Sequence, residues 1–406
     1  MAAFRQNILV RIINKIAFLV HEPIMYAHYS SVWSAMDRNA FVIVFLNAFA
    51  DSAQKTTAGV QECVEKIRAH GYEYTYLDNV LRGRIKYKYV VSNHCMGGSS
   101  AQPTRYFRLK NLCKSALNRV SGWLGRGKRY VVDHWDPIQY IPLQVGIKQI
   151  RFMYGADIGE GWSLQPWNEI YDLFLCHGPN DEAALRKRFR GKTAVMGYPR
   201  YDAYFDQHLD TDSVVREFEI NPSKKTILWI TTTGEGASSI PSFARLISGL
   251  TGRHNVIVRP HPIAFRAEPR DIELLCSLNF KIDSNPLRDM NKLYKAADLV
   301  LCDYGGSAFS VIYLGKKLRL LDVPGSKKSP WLRSASNFEL HEFVPVVSVE
   351  NFHTIHNMIS DDRLWEAWED RRAALFRRYF SDYRGTSSLK AAGILANLDS
   401  IIGDRT

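Results

Sequence analysis

The chain has 406 residues, 46% of them hydrophobic, and its 53 basic and 41 acidic residues give a formal net charge of +12. That composition excludes a disordered or low-complexity chain and gives room for two domains of ordinary size. The positive balance asks for an anionic partner: nucleic acid, a phosphorylated substrate or an anionic membrane surface.

The first apolar run is "ILVRIINKIAFLV" over 8–20. It carries Arg11 and Lys15, is too short to span a bilayer and precedes no small-residue cleavage site. Neither a transmembrane segment nor a signal peptide is expected there. Ile8, Ile12, Ile16 and Leu19 share one face at helical spacing. This predicts a helix, packed on its own domain or lying on a membrane surface. "EPIMYAHYSSVW" (22–33) follows, with Glu22, His28 and Tyr29 ahead of what reads as the first strand. Packing, or lining the acceptor side of a cleft, are the two roles open to it.

From residue 41 apolar strands alternate with helices. "FVIVFL" (41–46) reads as a strand, "TTAGVQECVEKIRAHG" (56–71) as a helix ending at Gly71, and "YEYTYL" (72–77) as another strand. "KYVVSN" (88–93), "RYVVDH" (129–134), "KQIRFMYG" (148–155) and "DLFLCHG" (172–178) continue the series. A polar stretch at 206–225 separates it from a second series: "KTILWITTTGE" (225–235), "NVIVRPHP" (255–262), "FKID" (280–283), "DLVLCDYGG" (298–306) and "LRLLDVP" (318–324). Helices are predicted near 241–252, 269–278 and 289–296, after Gly306, and over 361–401. Such alternation implies parallel sheets with helices on both faces. The expected architecture is α/β: two doubly wound, Rossmann-like domains facing a cleft, 1–205 and 206–360, with C-terminal helices over 361–406 packing back across both. Ligands of such sheets bind at the carboxyl ends of the strands.

The six cysteines are scattered, with no CxxC pair, and several sit in apolar runs. They read as reduced core residues of a cytoplasmic protein, not as disulfides or a metal site. Between 102 and 129 lie eight basic residues and no acid: Arg105, Arg108, Lys110, Lys114, Arg119, Arg126, Lys128 and Arg129. In a helix, Leu109, Cys113, Leu117 and Val120 form an apolar stripe, flanked by Lys110 and Lys114 on one side and Arg108 and Arg119 on the other. That pattern suits the headgroup region of an anionic membrane. A solvated helix packed on the first domain is the alternative. No nucleic-acid motif accompanies the patch, so nucleic acid is not the expected partner.

Three strand ends of the second series are polar. One ends in Arg259, Pro260 and His261, one in Thr231, Thr232 and Thr233, and one in Asp303, Tyr304, Gly305, Gly306 and Ser307. Parallel neighbours bring such tips to one rim. An arginine, a histidine and a helix N-terminus opened by glycine suit a diphosphate.

The motifs "VIVRPHP" and "LYKAADLVLCDYGGSAFSVIYLGKKLRLLDVP", with "KKTILWITTTGE", "HGPNDEAALRKRF" and "KTAVMGYPRYDAYF", resemble the CDP-glycerol glycerophosphotransferase family. That family includes teichoic-acid primases and polymerases and related capsule-building transferases. The likeness covers roughly residues 148–325. It implies a GT-B fold and transfer of a polyol phosphate from a CDP-linked donor to an acceptor hydroxyl in cell-surface polymer synthesis, releasing CMP. A lipid-linked or glycan acceptor and a place on the inner face of the cell membrane go with it. By resemblance His261 and Arg259 face the donor diphosphate and serve catalysis. Asp303, Tyr304, Gly305, Gly306 and Ser307 form its cradle, and Thr231, Thr232 and Thr233 lie near the nucleotide. No cofactor is firmly implied; Mg²⁺ is the one left open.

Two departures from the family pattern stand out. Gly305 and Gly306 occupy the place of paired serines. In "RFMYGADIGEG" (151–161), Tyr154-Gly155 stands where His-Gly is expected. A tyrosine, with an ordinary pKa of about 10, is a poor base at neutral pH. Asp157 and His134 are the candidates to replace it, although His134 beside Asp133 and Asp136 reads equally as a structural histidine. Two other readings stay open: a glycosyltransferase using a nucleotide sugar, and a non-catalytic basic adaptor for a membrane or nucleic acid.

Overall fold

The structure, a computed structural model, describes residues 10–46, 57–96, 104–123, 136, 139–156, 164–329, 332 and 336–403. The strand expected at 129–134, with His134, and the candidate Asp157 lie outside these residues. Thirteen strands among them form two sheets. Helices of nine residues or more are α1 (Ile24–Ala35), α2 (Thr57–Ala69), α3 (Arg105–Trp123), α4 (Pro179–Arg188), α5 (Ile240–Ser248), α6 (Pro269–Ser277), α7 (Gly306–Leu314), α8 (Glu369–Tyr379) and α9 (Ser387–Ala396).

The apolar run at the start of the chain is not the helix its spacing predicts but a strand, β1 (Arg11–Val20). Its second half is buried throughout. Ile16, Phe18 and Val20 enter the core under α1, while Ala17 and Leu19 enter the core on the opposite face of the sheet. An inner strand of a parallel sheet is apolar on both faces, so periodicity alone does not separate it from a helix. The stretch 22–33 therefore follows the first strand instead of preceding it. As α1 it crosses to the next strand, with Tyr29 and Trp33 packed in the core.

β1 pairs in parallel with β2 (Phe41–Phe45) and β4 (Ile85–Ser92). With β3 (Tyr74–Tyr76), β5 (Gly146–Phe152), β6 (Leu173–Cys176) and β7 (Lys192–Val195) they form a seven-stranded parallel sheet of order β3-β2-β1-β4-β5-β6-β7. The second sheet holds β8 (Thr226–Ile230), β9 (Asn255–Arg259), β10 (Lys281–Ile282), β11 (Leu299–Cys302), β12 (Leu318–Leu321) and β13 (Val346–Val347). Its order is β10-β9-β8-β11-β12-β13, again parallel, and it places β8 between β9 and β11. Ile227, Trp229, Val258 and Leu301 pack under α5 and α6, while Leu228, Ile230, Val300 and Cys302 pack on the other face with α7. The chain is α/β, as the alternation of elements requires. Cys63, Cys95, Cys176 and Cys302 are buried, Cys113 and Cys276 exposed, and all six are free thiols.

The C-terminal helices join the two sheets. Leu375 and Tyr379 of α8 enter the core around α7, whereas Ala391 and Leu395 of α9 enter the core of the first sheet. The segment "GYPRYD" (197–202) is what seats α9. The Asp202 carboxylate accepts the backbone N–H groups of Ser387 and Ser388 at 3.1 and 2.6 Å. Gly197 has φ +81°, and a Cβ there would meet Ser387 Oγ at 2.3 Å. An aspartate binding two first-turn N–H groups stabilises a helix by about 1–2 kcal/mol. Asp202→Ala should therefore lower the unfolding free energy in denaturant titration by about that amount. An unchanged midpoint would show that α9 does not depend on this cap.

Candidate active site

Because β9, β8 and β11 are neighbours, their carboxyl ends share one rim, as the sequence predicts. Asp303, just after β11, is buried inside that rim. Its Oδ1 accepts the Thr232 N–H at 2.7 Å, and its Oδ2 accepts the Ser239 N–H and hydroxyl, each at 2.8 Å. One carboxylate thus ties the loop after β8 and the start of α5 to the tip of β11. Burial pushes its pKa up to about 7 against the pull of those donors. Tyr304 is likewise turned inward, its hydroxyl 2.9 Å from Ser326 Oγ and 3.2 Å from an Asp322 oxygen.

Gly305 has φ +112° and ψ −179°, a region that only glycine occupies without strain. It stands at the N-cap of α7 and offers no side-chain cap. The first-turn N–H groups of α7, beginning with Gly306, therefore lie at the rim, where an anion is favoured. A Cβ on Gly305 would come within 3.4 Å of Thr232 Oγ1, so the two tips nearly touch. Thr233 Oγ1 and Gly234 N both donate to Glu268 Oε1, at 2.7 and 2.6 Å. Thr231 Oγ1 is buried with no hydrogen-bond partner.

Arg259 ends β9 and is buried. Its Nη1 lies 2.9 Å from Asp283 Oδ2 and donates to Asn285 O at 2.7 Å, so the guanidinium is fixed in place. Burial lowers its pKa and Asp283 opposes that shift. His261 Nδ1 accepts the Ile263 N–H at 3.2 Å. Its neutral ring therefore carries its proton on Nε2, available to a phosphate oxygen. Burial, then the Arg259 charge, push the His261 pKa down; Glu268 and Glu22 push it up.

On the first-sheet side, His28 of α1 is buried, its Nε2 3.1 Å from Arg200 Nη1 and its ring edge-on to Tyr154 at 5.5 Å. Burial, with the Arg200 charge, holds it neutral. The Tyr154 carbonyl accepts the Tyr198 hydroxyl at 3.3 Å, and that hydroxyl is also 3.3 Å from Ser310 Oγ of α7. Tyr154 is thus fixed where the two halves meet. His177 and Asp181, fully buried, pair at 2.7 Å beneath Tyr198.

Sequence reasoning passed over Ser239, Glu268, Asp283 and Arg200, which hold the named residues in place. Arg200 lies within the quoted "KTAVMGYPRYDAYF" but was given no role there, the other three lie in no motif, and each becomes visible only through its partner. The rim carboxylates Asp303 and Glu268 are engaged by loop donors. Among the described residues no group of three His, Cys, Asp or Glu side chains could hold a metal ion. A separate pocket, lined by Asn14, Met36, Tyr89, Leu395 and Asp399, opens near the amino-terminal edge of the first sheet, away from these tips.

The raised pKa of Asp303 has a definite pH signature. The folded chain holds this proton up to about pH 7, whereas the unfolded carboxyl releases it near the usual value of about 4. Folding therefore loses the benefit as pH rises between those values. In thermal unfolding, wild type should lose stability relative to Asp303→Asn from about pH 4 to about pH 7. A constant difference across that range would mean that Asp303 stays ionised in the folded state.

Residues 142–319 match the family model for CDP-Glycerol:Poly(glycerophosphate) glycerophosphotransferase. No curated protein sequence matches the chain. Among solved structures, the wall teichoic acid polymerase TagF superposes with a TM-score of 0.59 at 13% identity, covering 97% of this chain and 90% of that one. The Anabaena protein Alr3699/HepE, in complex with UDP and glucose, gives 0.51 at 11% identity, covering 95% of this chain and 100% of that one. At such identities these likenesses concern the fold. The matched segment includes all three rim tips, and over that segment the chain is similar to the CDP-glycerol glycerophosphotransferases.

Proposed function

We propose that the chain moves a polyol phosphate, glycerol phosphate or a close relative, from a CDP-linked donor to an acceptor hydroxyl of a growing cell-surface polymer or glycan. Two GT-B-type domains serve this reading: 1–205 on the acceptor side and 206–360 on the donor side, with 361–406 spanning them. The observation that carries it is the placement of His261 and the start of α7 at the carboxyl ends of one parallel sheet. The acceptor oxygen attacks the β-phosphorus of the donor. His261 donates Nε2–H to a phosphate oxygen, and the N–H groups of the first turn of α7 share the charge gathering there. Arg259, held by Asp283, keeps a positive field beneath the site. CMP departs.

Tyr154 in the histidine's place favours one second reading, attack on the sugar carbon of a nucleotide sugar. Incubation with CDP-, UDP- and GDP-linked donors distinguishes the two by the released nucleotide, CMP against a nucleoside diphosphate. His261→Ala should reduce CMP release by about a hundredfold or more while the unfolding midpoint holds, since one preorganised donor at a developing charge contributes on the order of 3 kcal/mol. Near-normal turnover would remove His261 from the reaction.

The reading includes a place on the inner membrane face, in the cytoplasm, with a lipid-linked acceptor. Among the described residues no helix is long and apolar enough to cross a membrane. α3 supports surface attachment instead: Trp123 is 89% exposed and Leu109 62%, with Tyr106, Leu112, Leu117 and Val120 also turned outward. Basic residues flank this apolar face, each adding about 1 kcal/mol at an anionic surface. Reversing Arg105, Arg108, Lys114 and Arg119 to Glu should release the protein from anionic vesicles in a flotation assay. Turnover of a soluble acceptor analogue should not change. A wild type that ignores such vesicles at low salt would contradict the attachment.

A further inference from the structure

Arg200, in the "GYPRYD" segment that connects the two sheets, carries a guanidinium without an acidic partner. Arg259 pairs with Asp283, and Arg288 with Asp283 and Glu217. Among the described residues no carboxylate comes within ion-pair distance of Arg200. The side chain of Asp289 is occupied instead by Asn291, whose backbone N–H and amide both donate to Oδ1 at 3.0 Å. Arg200 Nη1 donates to His28 Nε2 at 3.1 Å, and the guanidinium lies 5.6 Å from the centre of the Tyr201 ring. An arginine only donates, so the neutral His28 ring carries its proton on Nδ1 and returns no charge to its partner. Arg200 Nε is buried without a hydrogen-bond partner. Nη2 bonds no described residue and is not sealed from solvent. Holding an uncompensated cation in a packed seam costs stability, and an anionic ligand is what would neutralise it.

Direct contacts place this guanidinium between the two halves. The Arg200 carbonyl accepts the Asn291 amide at 3.0 Å, from the helix Met290–Ala296. That helix follows the stretch whose Asp283 and Asn285 carbonyls accept from Arg259. In the other direction, His28 of α1 packs edge-on against Tyr154, whose carbonyl accepts the Tyr198 hydroxyl. The Tyr198 hydroxyl lies 3.3 Å from Ser310 Oγ, which donates to Gly306 O at the start of α7. An unbroken series of contacts thus runs from Arg200 to the first turn of α7.

We propose that Arg200 binds a phosphate of the acceptor, the one next to the attacking hydroxyl, and so selects anionic acceptors over neutral ones. The assignment rests on the transferase reading above. The donor diphosphate has His261 and the first turn of α7, both on the second sheet, whereas Arg200 is anchored through His28 to the first. With Nη1 committed to His28, the Nε–Nη2 edge remains, and such an edge matches two phosphate oxygens.

The test compares the full chain with Arg200→Gln, which keeps an N–H for His28 but no charge, and with Arg200→Lys. Glycerophosphoglycerol serves as the anionic acceptor and glycerol as the neutral one. Calorimetry reads the affinity for the phosphodiester and for CDP, turnover gives kcat and KM with each acceptor, and denaturant titration gives the midpoint. Wild type should prefer the phosphodiester. Arg200→Gln should lose about 10- to 100-fold of its affinity and kcat/KM for it, mainly in KM. Arg200→Lys, charged but without the planar fork, should fall between. CDP affinity should hold, and the midpoint should stay or rise, because an uncompensated charge has been removed. A lowered midpoint with an unchanged acceptor preference would make Arg200 a structural tie and overturn the proposal. A variant that loses CDP affinity instead would assign Arg200 to the donor and overturn it equally. So would a wild type that binds the phosphodiester no better than glycerol. Failure of wild type to consume any nucleotide-linked donor overturns the transferase reading, and calorimetry with the phosphodiester then decides for or against Arg200 by itself.

Discussion

A buried carboxylate organises the carboxyl rim of the second sheet. Asp303 collects two backbone N–H groups and one hydroxyl from the loop after β8 and the start of α5. Both ends of the loop between β8 and α5 are thereby tied to the tip of β11. Leaving a buried carboxylate without partners costs several kcal/mol, so this arrangement over-determines the loop. Gly305 then has little freedom: it turns the chain at φ +112° directly beneath Thr232 and starts α7 with its N–H groups outward. The opening of the helix toward an anion follows from that turn.

A second constraint acts on the relation between the sheets. Asp202 caps α9, Gly197 lets Ser387 approach, and the Tyr198 hydroxyl lies between the Tyr154 carbonyl and Ser310 of α7. The segment between the two sheets is therefore a packed connector. Its aromatic groups tie the tip of β5 to α7 through the Tyr198 hydroxyl. Catalytic geometry across a cleft depends on such fixed edges, because small displacements of reacting groups cost large factors in rate.

Much of this was legible in the sequence. Alternating apolar runs and helices gave the parallel sheets, and the polar ends of three runs marked tips that share one rim of the second sheet. The first strand was not legible. Its buried half, "IAFLV", is apolar at every position, and Ile8, Ile12, Ile16 and Leu19 also fit a helical face. Reading it as a helix displaced the next segment and hid His21 and Glu22, which become strand-tip residues once β1 is recognised. Asp303 and Tyr304 were placed at the right tip, but their inward orientation depends on Ser239, Ser326 and Asp322, and spacing in sequence carries no information about those partners. Arg259 was similarly expected at the rim, whereas its tie to Asp283 appears only when β9 and the segment after β10 lie side by side.

The central claim is a chemical one: phosphorus, not a sugar carbon, is attacked. A ³¹P NMR time course with CDP-glycerol and a hydroxyl acceptor tests it most directly. The account predicts that the diphosphate signals decline while a CMP monoester and a new phosphodiester grow at equal rates. A diphosphate that persists under these conditions, together with UDP appearing from a UDP-sugar, would contradict it.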